Sequence, residues 1–111
     1  MQYIQGISRN QLQVSSLEAA IAAENPVRFI DAFVNSIDLE KIGFTLRVLK
    51  AEGRPSFDTK VFLKIYLYGY LNGIRSSRRL EKECLRNLEM QWLIEAIAPN
   101  YHSISDFRKD N

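Results

Sequence analysis

The apolar residues of this chain recur at helical spacing. Asn25 and Pro26 form a helix start, because Asn caps the first-turn N–H groups and Pro fits the first helical position. The apolar positions that follow are spaced by three and four: Phe29, Ile30, Phe33, Val34 and Ile37. This pattern predicts an amphipathic helix over residues 26–36. A shorter apolar run after Ser16 predicts a brief helix over residues 17–23.

A denser apolar run follows the clearest break in the sequence, at Gly53-Arg54-Pro55. Asp58 is a suitable N-cap, and residues 59–72 are apolar on almost every side of a helix. Such a helix is normally central. We therefore expect it to be covered on all sides, with Asn72-Gly73 as its end.

Shorter helices are predicted beyond this central one. Ser76 or Ser77 caps a helix that extends to about residue 87, and another covers residues 89–96. Pro99-Asn100 is predicted to break the chain after that helix. Ser103, with Asp106 three residues later, begins a last helix. With tight turns between them, these elements resemble a helix-turn-helix, in which the last helix enters the major groove of DNA.

The predicted fold is mainly α-helical, a small multi-helix domain with a helix-turn-helix-like C-terminal half. We divide it into an extended arm over residues 1–15, an N-terminal helical lobe over 16–52 and a C-terminal lobe over 53–111. Together they form one structural domain, as the length of 111 residues suggests. Residues 44–49 alternate between apolar and polar, which fits a short strand or an extended connector equally well.

Composition narrows the class of protein. The chain is 46% hydrophobic and 25% charged, as is typical of globular domains. It has one cysteine and one histidine, which excludes an internal disulfide framework and argues against a Cys/His zinc site. We find no secretory signal and no apolar run near the roughly 20 residues that a membrane span requires. We therefore expect a cytoplasmic protein without a membrane or cofactor role.

The net charge of +2 is mild, but its distribution is not uniform. Successive helix residues turn by about 100°, so one face of the helix after Ser77 collects basic side chains. We call this face the basic stripe: Arg75, Arg78, Arg79, Lys82 and Arg86. Leu80 and Cys84 lie on the opposite face, towards the core.

The basic stripe suits phosphate oxygens, which arginine holds through paired N–H donors while released counterions supply free energy. Glu81 and Glu83 lie off the stripe, so we expect that no i, i+4 partner neutralises the charge along its centre. The alternatives are a solvated basic face, or a face that meets acidic groups of a protein partner.

The last predicted helix adds further candidates for DNA contact. In a helix-turn-helix, Ile104 and Phe107 would anchor this helix while three polar residues project towards DNA: Ser105, Arg108 and Lys109. No carboxylates converge in the pattern that a two-metal nuclease requires, and no glycine-rich phosphate loop is present. We therefore expect no catalytic residues and no metal site.

Several segments together resemble the N-terminal domain of bacterial DDE-type insertion-sequence transposases. The similar segments are GRPSFD at 53–58, LKIYLYGYLNGIRSSRRLE at 63–81 and SISDFRKDN at 103–111. Shorter similarities occur at Tyr3–Gly6, Arg9–Gln11, Glu83-Cys84, Arg86-Asn87 and Trp92-Leu93. The likeness thus covers essentially the whole chain.

The resemblance implies a non-catalytic piece of a transposase. In that family the catalytic carboxylates lie on a downstream ribonuclease-H-like domain, and none maps onto this chain. The implied role is recognition of double-stranded DNA at transposon ends and assembly of the synaptic complex, with the catalytic domain of the same polypeptide as a partner. The alternative is an interaction domain that packs against the catalytic domain or forms a homodimer, without direct DNA contact.

Overall fold

The computed structural model describes residues 2–39, 41 and 57–110. Its helices are α1 Leu17–Ala20, α2 Pro26–Ser36, α3 Thr59–Leu71, α4 Ser77–Arg86, α5 Leu88–Leu93 and α6 Tyr101–Asp110. All regular structure among these residues is helical, which confirms the predicted fold class. The alternating segment at 44–49 and the break at Gly53–Pro55 lie outside the described residues, and the lobe division stays a prediction.

Helix α2 begins as predicted. The Asn25 side chain accepts a hydrogen bond from the N–H of Val27 at 2.9 Å, and Pro26 occupies the first helical position. The helix buries Val27, Ile30 and Val34. Two residues of its predicted apolar face point outwards instead: the Phe29 side chain is 73% exposed and that of Phe33 is 47% exposed. Their rings stack on each other with centroids 6.2 Å apart.

Helix α3 is central but is not covered on all sides, so that expectation is wrong. Its N-cap is Asp58, and it contributes Val61, Phe62, Ile65 and Tyr68 to the core. Leu63 and Leu67 are only half-buried, and Tyr70 is 82% exposed. The other described helices pack on part of its circumference and leave one apolar face open.

A single core joins helices from both sides of the undescribed segment. Its most deeply buried aliphatic side chains come from α2 to α6: Val34, Ile65, Leu80, Leu93 and Ile104. Cys84 is also buried there, and burial raises the pKa of its thiol to about 11. The thiol is therefore an inert part of the core, as expected for a buried cysteine.

Gly69 lets the connection between α3 and α4 lie against α3. The N–H of Ile74 donates to the Gly69 carbonyl oxygen at 2.8 Å. A Cβ atom on Gly69 would lie 2.8 Å from the Ile74 carbonyl oxygen and 2.8 Å from Cδ2 of Leu80. Gly73 turns the chain with a φ of +71°, which suits glycine. The close approach fixes where α4 begins.

Glu89 receives two hydrogen bonds from other parts of the fold. The Tyr68 hydroxyl donates to one carboxylate oxygen at 2.6 Å, and Nδ2 of Asn25 donates to the other at 2.7 Å. These bonds lower the pKa of Glu89. Burial, and then the bond to Glu89, raises the pKa of Tyr68 to about 12. Charge-assisted bonds of this kind link α2, α3 and α5.

Asn87 extends the same set of bonds to α4. Its side chain caps α5 by accepting from the N–H of Met90 at 3.2 Å. Its Nδ2 donates to the Tyr68 hydroxyl at 3.0 Å and to Glu83 at 2.8 Å. Asn25 and Asn87 thus each cap one helix and bond to a neighbouring element. We call Asn25, Tyr68, Glu83, Asn87 and Glu89 the Glu89 network.

We predict that Gly69→Ala destabilises the fold. At an exposed position inside a helix the same change would instead stabilise the helix by about 1 kcal/mol, because alanine has the higher helix propensity. The added Cβ meets backbone at 2.8 Å, and relief of such overpacking typically costs about 1 to 3 kcal/mol. Urea denaturation should show a lower midpoint. Gly6→Ala is the matched control, because nothing lies within 4 Å of a Cβ there. A raised midpoint for Gly69→Ala would contradict the close approach.

We predict that Glu89→Gln lowers stability at neutral pH by about 1 kcal/mol, because two bonds to a charged acceptor are weakened. Since folding lowers the pKa of Glu89, its contribution is present above the ordinary value of 4.5 and is lost as the pH falls through the folded-state pKa. The variant should therefore lose less stability on acidification than the parent chain does. Denaturation midpoints from pH 7 downwards test this.

The acid dependence should not vanish in Glu89→Gln, since hydrogen bonds from Asn87 and Arg86 also lower the pKa of Glu83. Glu95→Gln, at an exposed position, is the control and should leave stability at neutral pH unchanged. Identical acid profiles for Glu89→Gln and the parent chain would show that the charge of the Glu89 carboxylate contributes nothing to folding.

Candidate nucleic-acid interface

Four residues of the basic stripe, Arg78, Arg79, Lys82 and Arg86, lie on α4, whereas Arg75 precedes the N-cap Ser76 and so is not on the helix face as predicted. Ser76 caps this helix by accepting from the N–H of Arg79 at 3.4 Å. Leu80 and Cys84 are buried on the inner face. All the predicted stripe residues are exposed: Arg75, Arg78, Arg79, Lys82 and Arg86. The helix is therefore fixed by its back and presents cations to the outside.

The acids of α4 have positioning roles. Glu81 accepts from the backbone N–H of Tyr101 at 2.9 Å, at the start of α6. Glu83 accepts from Asn87, and also from Arg86 at 2.8 Å, so that end of the stripe is partly neutralised. The Arg86 side chain is 62% exposed, whereas that of Glu83 is only 15% exposed. Arg86 can exchange its partner for an external anion because Glu83 remains hydrogen-bonded to Asn87.

Arg78 is ordered by an aromatic ring. Its guanidinium carbon lies 4.2 Å from the centroid of Tyr101, and its Nη2 donates to the Tyr101 hydroxyl at 3.2 Å. Cation–π stacking of this kind fixes the plane of the guanidinium. Tyr101 was not among the residues predicted from the sequence. Nothing in the sequence around Pro99-Asn100 indicates that Tyr101 contacts Arg78.

The remaining stripe cations have no fixed partner in the described part of the chain. Arg75, Arg79 and Lys82 form no hydrogen bond or ion pair through their side chains with any of these residues. Their charge is therefore available to an anionic ligand, and Arg79 interacts with an acid of α4 only through space, by helping to lower the pKa of Glu83.

Helix α6 begins at Tyr101, two residues before the predicted start at Ser103. Asn100 is the capping side chain, because its Oδ1 accepts from the N–H of Ser103 at 2.9 Å. The prediction that Ser103, with Asp106 three residues later, begins this helix is therefore wrong. Ile104 is fully buried, which confirms it as an anchor.

Phe107 also anchors α6, as predicted, because its ring stacks on Phe62 with centroids 5.1 Å apart. The predicted contact residues on α6 are all exposed: Ser105, Arg108 and Lys109. Helix α6 packs on α4, and residues 94–100 separate it from α5. The helix-turn-helix interpretation stays a prediction.

A groove connects the two sets of candidate residues. It has a volume of about 520 Å³ and lies between α3, the start of α4 and α6. Arg75 of the basic stripe and Arg108 of α6 both line it. Its other lining residues are Leu63, Tyr66, Leu67, Tyr70 and Ile74. The sequence reading placed these arginines in separate roles, and tertiary packing brings them to one groove.

The described residues contain no group of three or more His, Cys, Asp or Glu side chains arranged to hold a metal ion. No helix in residues 2–39 or 57–110 is long and apolar enough to cross a membrane.

The fold and its surface define a class of small helical domain with one cationic helix face. The model of the family described as Transposase domain (DUF772) matches residues 15–110, and the chain belongs to that family. This confirms the resemblance to a transposase N-terminal domain and indicates a role in transposition. No curated protein and no solved structure matches the chain.

Proposed function

We propose that this chain is the non-catalytic DNA-binding domain of a DDE-type insertion-sequence transposase. The observation that carries the proposal is the basic stripe of a transposase-family domain, exposed and with Arg75, Arg79 and Lys82 lacking partners in the described residues. The ligand is double-stranded DNA at the transposon ends. The proposed setting is the cytoplasm.

The stripe binds the sugar-phosphate backbone. Arginine presents paired donors that match phosphate oxygens, and displaced counterions contribute free energy that does not depend on base sequence. The Tyr101 ring orders Arg78 before DNA arrives, which reduces the entropy lost on binding. Arg86 exchanges Glu83 for a phosphate.

Helix α6 extends this surface with Ser105, Arg108 and Lys109. In a helix-turn-helix arrangement these side chains read base edges, while the stripe positions the domain on the backbone. Strand cleavage then belongs to a catalytic domain of the same polypeptide, which is the second partner.

A second candidate function is supported by the exposed pair Phe29 and Phe33 on α2. Exposed aromatic rings side by side favour a protein contact. On this interpretation the chain is an interaction domain for the catalytic domain or for a second copy, and the basic stripe meets acidic groups of that partner. This rival predicts no salt-dependent binding of DNA.

We predict that duplex DNA binding weakens steeply with salt. Contact between about four stripe residues and phosphates gives a slope near −3.6 for log affinity against log salt, or roughly a hundredfold loss between about 50 and 200 mM. Arg79→Ala or Lys82→Ala should each reduce the slope by about one unit, similarly for all duplex sequences. Fluorescence anisotropy with a labelled duplex measures both quantities.

The exposed Lys41 provides a charge-matched control, because Lys41→Ala removes one positive charge outside α4 and α6. It should leave the slope unchanged. If an Arg78/Arg79/Lys82 triple-alanine variant remains folded and keeps the affinity and slope of the parent chain, the stripe is not the binding surface. Substitution of Ser105 or Arg108 should instead change sequence preference.

We predict no divalent-metal-dependent nicking or strand transfer by this chain alone, because its proposed role is to position DNA for another domain. Supercoiled plasmid incubated with Mg²⁺ or Mn²⁺ should remain supercoiled. Cleavage that follows the protein peak through purification and disappears with chelator would refute the non-catalytic assignment.

A further inference from the structure

The groove between α3 and α6 combines an apolar floor with two cations. Leu63, Leu67 and Ile74 contribute aliphatic surface, and the guanidinium groups of Arg75 and Arg108 line the same space. Neither arginine forms a hydrogen bond or ion pair with another described residue. Two like charges that line one groove without a neutralising acid favour a ligand that carries negative charge.

Tyr70 provides a stacking surface beside these cations. It lines the groove on α3 and is 82% exposed, in contrast to the buried Tyr68. Tyr66, also in the lining, is fixed by the hydrogen bond that its hydroxyl donates to the Ile104 carbonyl oxygen. A free aromatic face next to guanidinium groups is the combination that binds single-stranded nucleic acid, with bases stacked on the ring and phosphates at the cations.

The size of the groove distinguishes strands from duplex. A volume of about 520 Å³ lies within the range of about 300 to 1,000 Å³ typical of small-ligand sites. A space of this size suits a single unpaired nucleotide, whereas a double helix is too wide to enter. Arg75 belongs to both the groove and the basic stripe, so a strand that leaves a stripe-bound duplex reaches the groove directly.

We propose that this groove binds an unpaired nucleotide of a DNA strand that continues from the duplex on the basic stripe. Tyr70 stacks on the base, and Arg75 and Arg108 contact the flanking phosphates. When the groove is occupied, Arg108 binds one of these phosphates in place of the base edge that the helix-turn-helix interpretation assigns to it. The inference rests on the proposed function, because the duplex delivers the strand. An acidic peptide with an apolar side chain would meet the same charges, but the shared Arg75 favours nucleic acid.

The test compares a blunt duplex with the same duplex carrying a four-nucleotide overhang, in 5′ and 3′ versions, by anisotropy with the 111-residue chain. One overhang should bind about tenfold more tightly than the blunt duplex, as expected from a stacked base. Tyr70→Ala should abolish this gain without weakening binding of the blunt duplex, and Tyr70→Phe should retain it. Phe29→Ala removes an exposed ring elsewhere and should leave the gain unchanged.

The role of Arg108 is tested by the ratio of the affinity for the overhang duplex to the affinity for the blunt duplex. Arg108→Ala should reduce the overhang gain, whereas Lys109→Ala, its charged neighbour on α6 outside the groove lining, should leave that ratio unchanged. Thermal unfolding by circular dichroism verifies that each variant is folded. These substitutions are at exposed positions, so the fold should tolerate them.

The outcomes separate the two proposals. Duplex binding without an overhang gain, or a gain that persists in Tyr70→Ala, overturns the groove assignment and leaves the stripe intact. Failure to bind any DNA overturns both. Tyr70-dependent binding of a labelled acidic, apolar peptide together with no overhang gain identifies a protein-docking groove and overturns the nucleotide assignment.

Discussion

The Glu89 carboxylate is the interaction on which the arrangement of the helices depends. It accepts from Asn25 at the start of α2 and from Tyr68 within α3, and Asn87 bonds Tyr68 to Glu83 of α4. Because Asn25 and Asn87 also cap their own helices, each helix start is tied to a neighbouring element. Together with the buried Leu80 and Cys84 on the inner face of α4, the network holds α4 with its basic residues facing outwards.

The acidic residues of α4 form hydrogen bonds within the fold, and this explains how a chain of net charge +2 presents a strongly basic surface. Glu81 bonds the first N–H of α6, where the helix dipole favours negative charge, and Glu83 is occupied by Asn87 and Arg86. Acidic side chains that serve the fold are thereby turned away from the centre of the stripe. The electrostatic potential at the basic stripe therefore depends on which groups the nearby carboxylates bond to, rather than on the net charge of the chain.

The features predicted correctly from the sequence are those that depend on neighbouring residues along the chain, namely helix caps and helical periodicity. Asn25, Asp58 and Ser76 are caps of the expected kind, and helical periodicity gave the fold class. Sequence analysis placed the start of α6 too late, because Asn100 follows Pro99 and the pair was interpreted as a break, whereas Asn100 is the cap. It also failed for the open face of α3, because an apolar run does not reveal how many neighbours cover it. Arg75 and Arg108 meet through tertiary packing, which no spacing in the sequence encodes.

One backbone contact links fold and surface. Arg75 directly follows Ile74, whose N–H is bonded to the carbonyl oxygen of Gly69 within α3. The absence of a side chain at Gly69 permits this approach and places Arg75 at the boundary between the stripe and the groove. The convex helix face and the adjoining concave groove are consequently held in fixed relation by the core. A ligand that spans both surfaces therefore meets a preorganised site, which reduces the conformational entropy lost on binding.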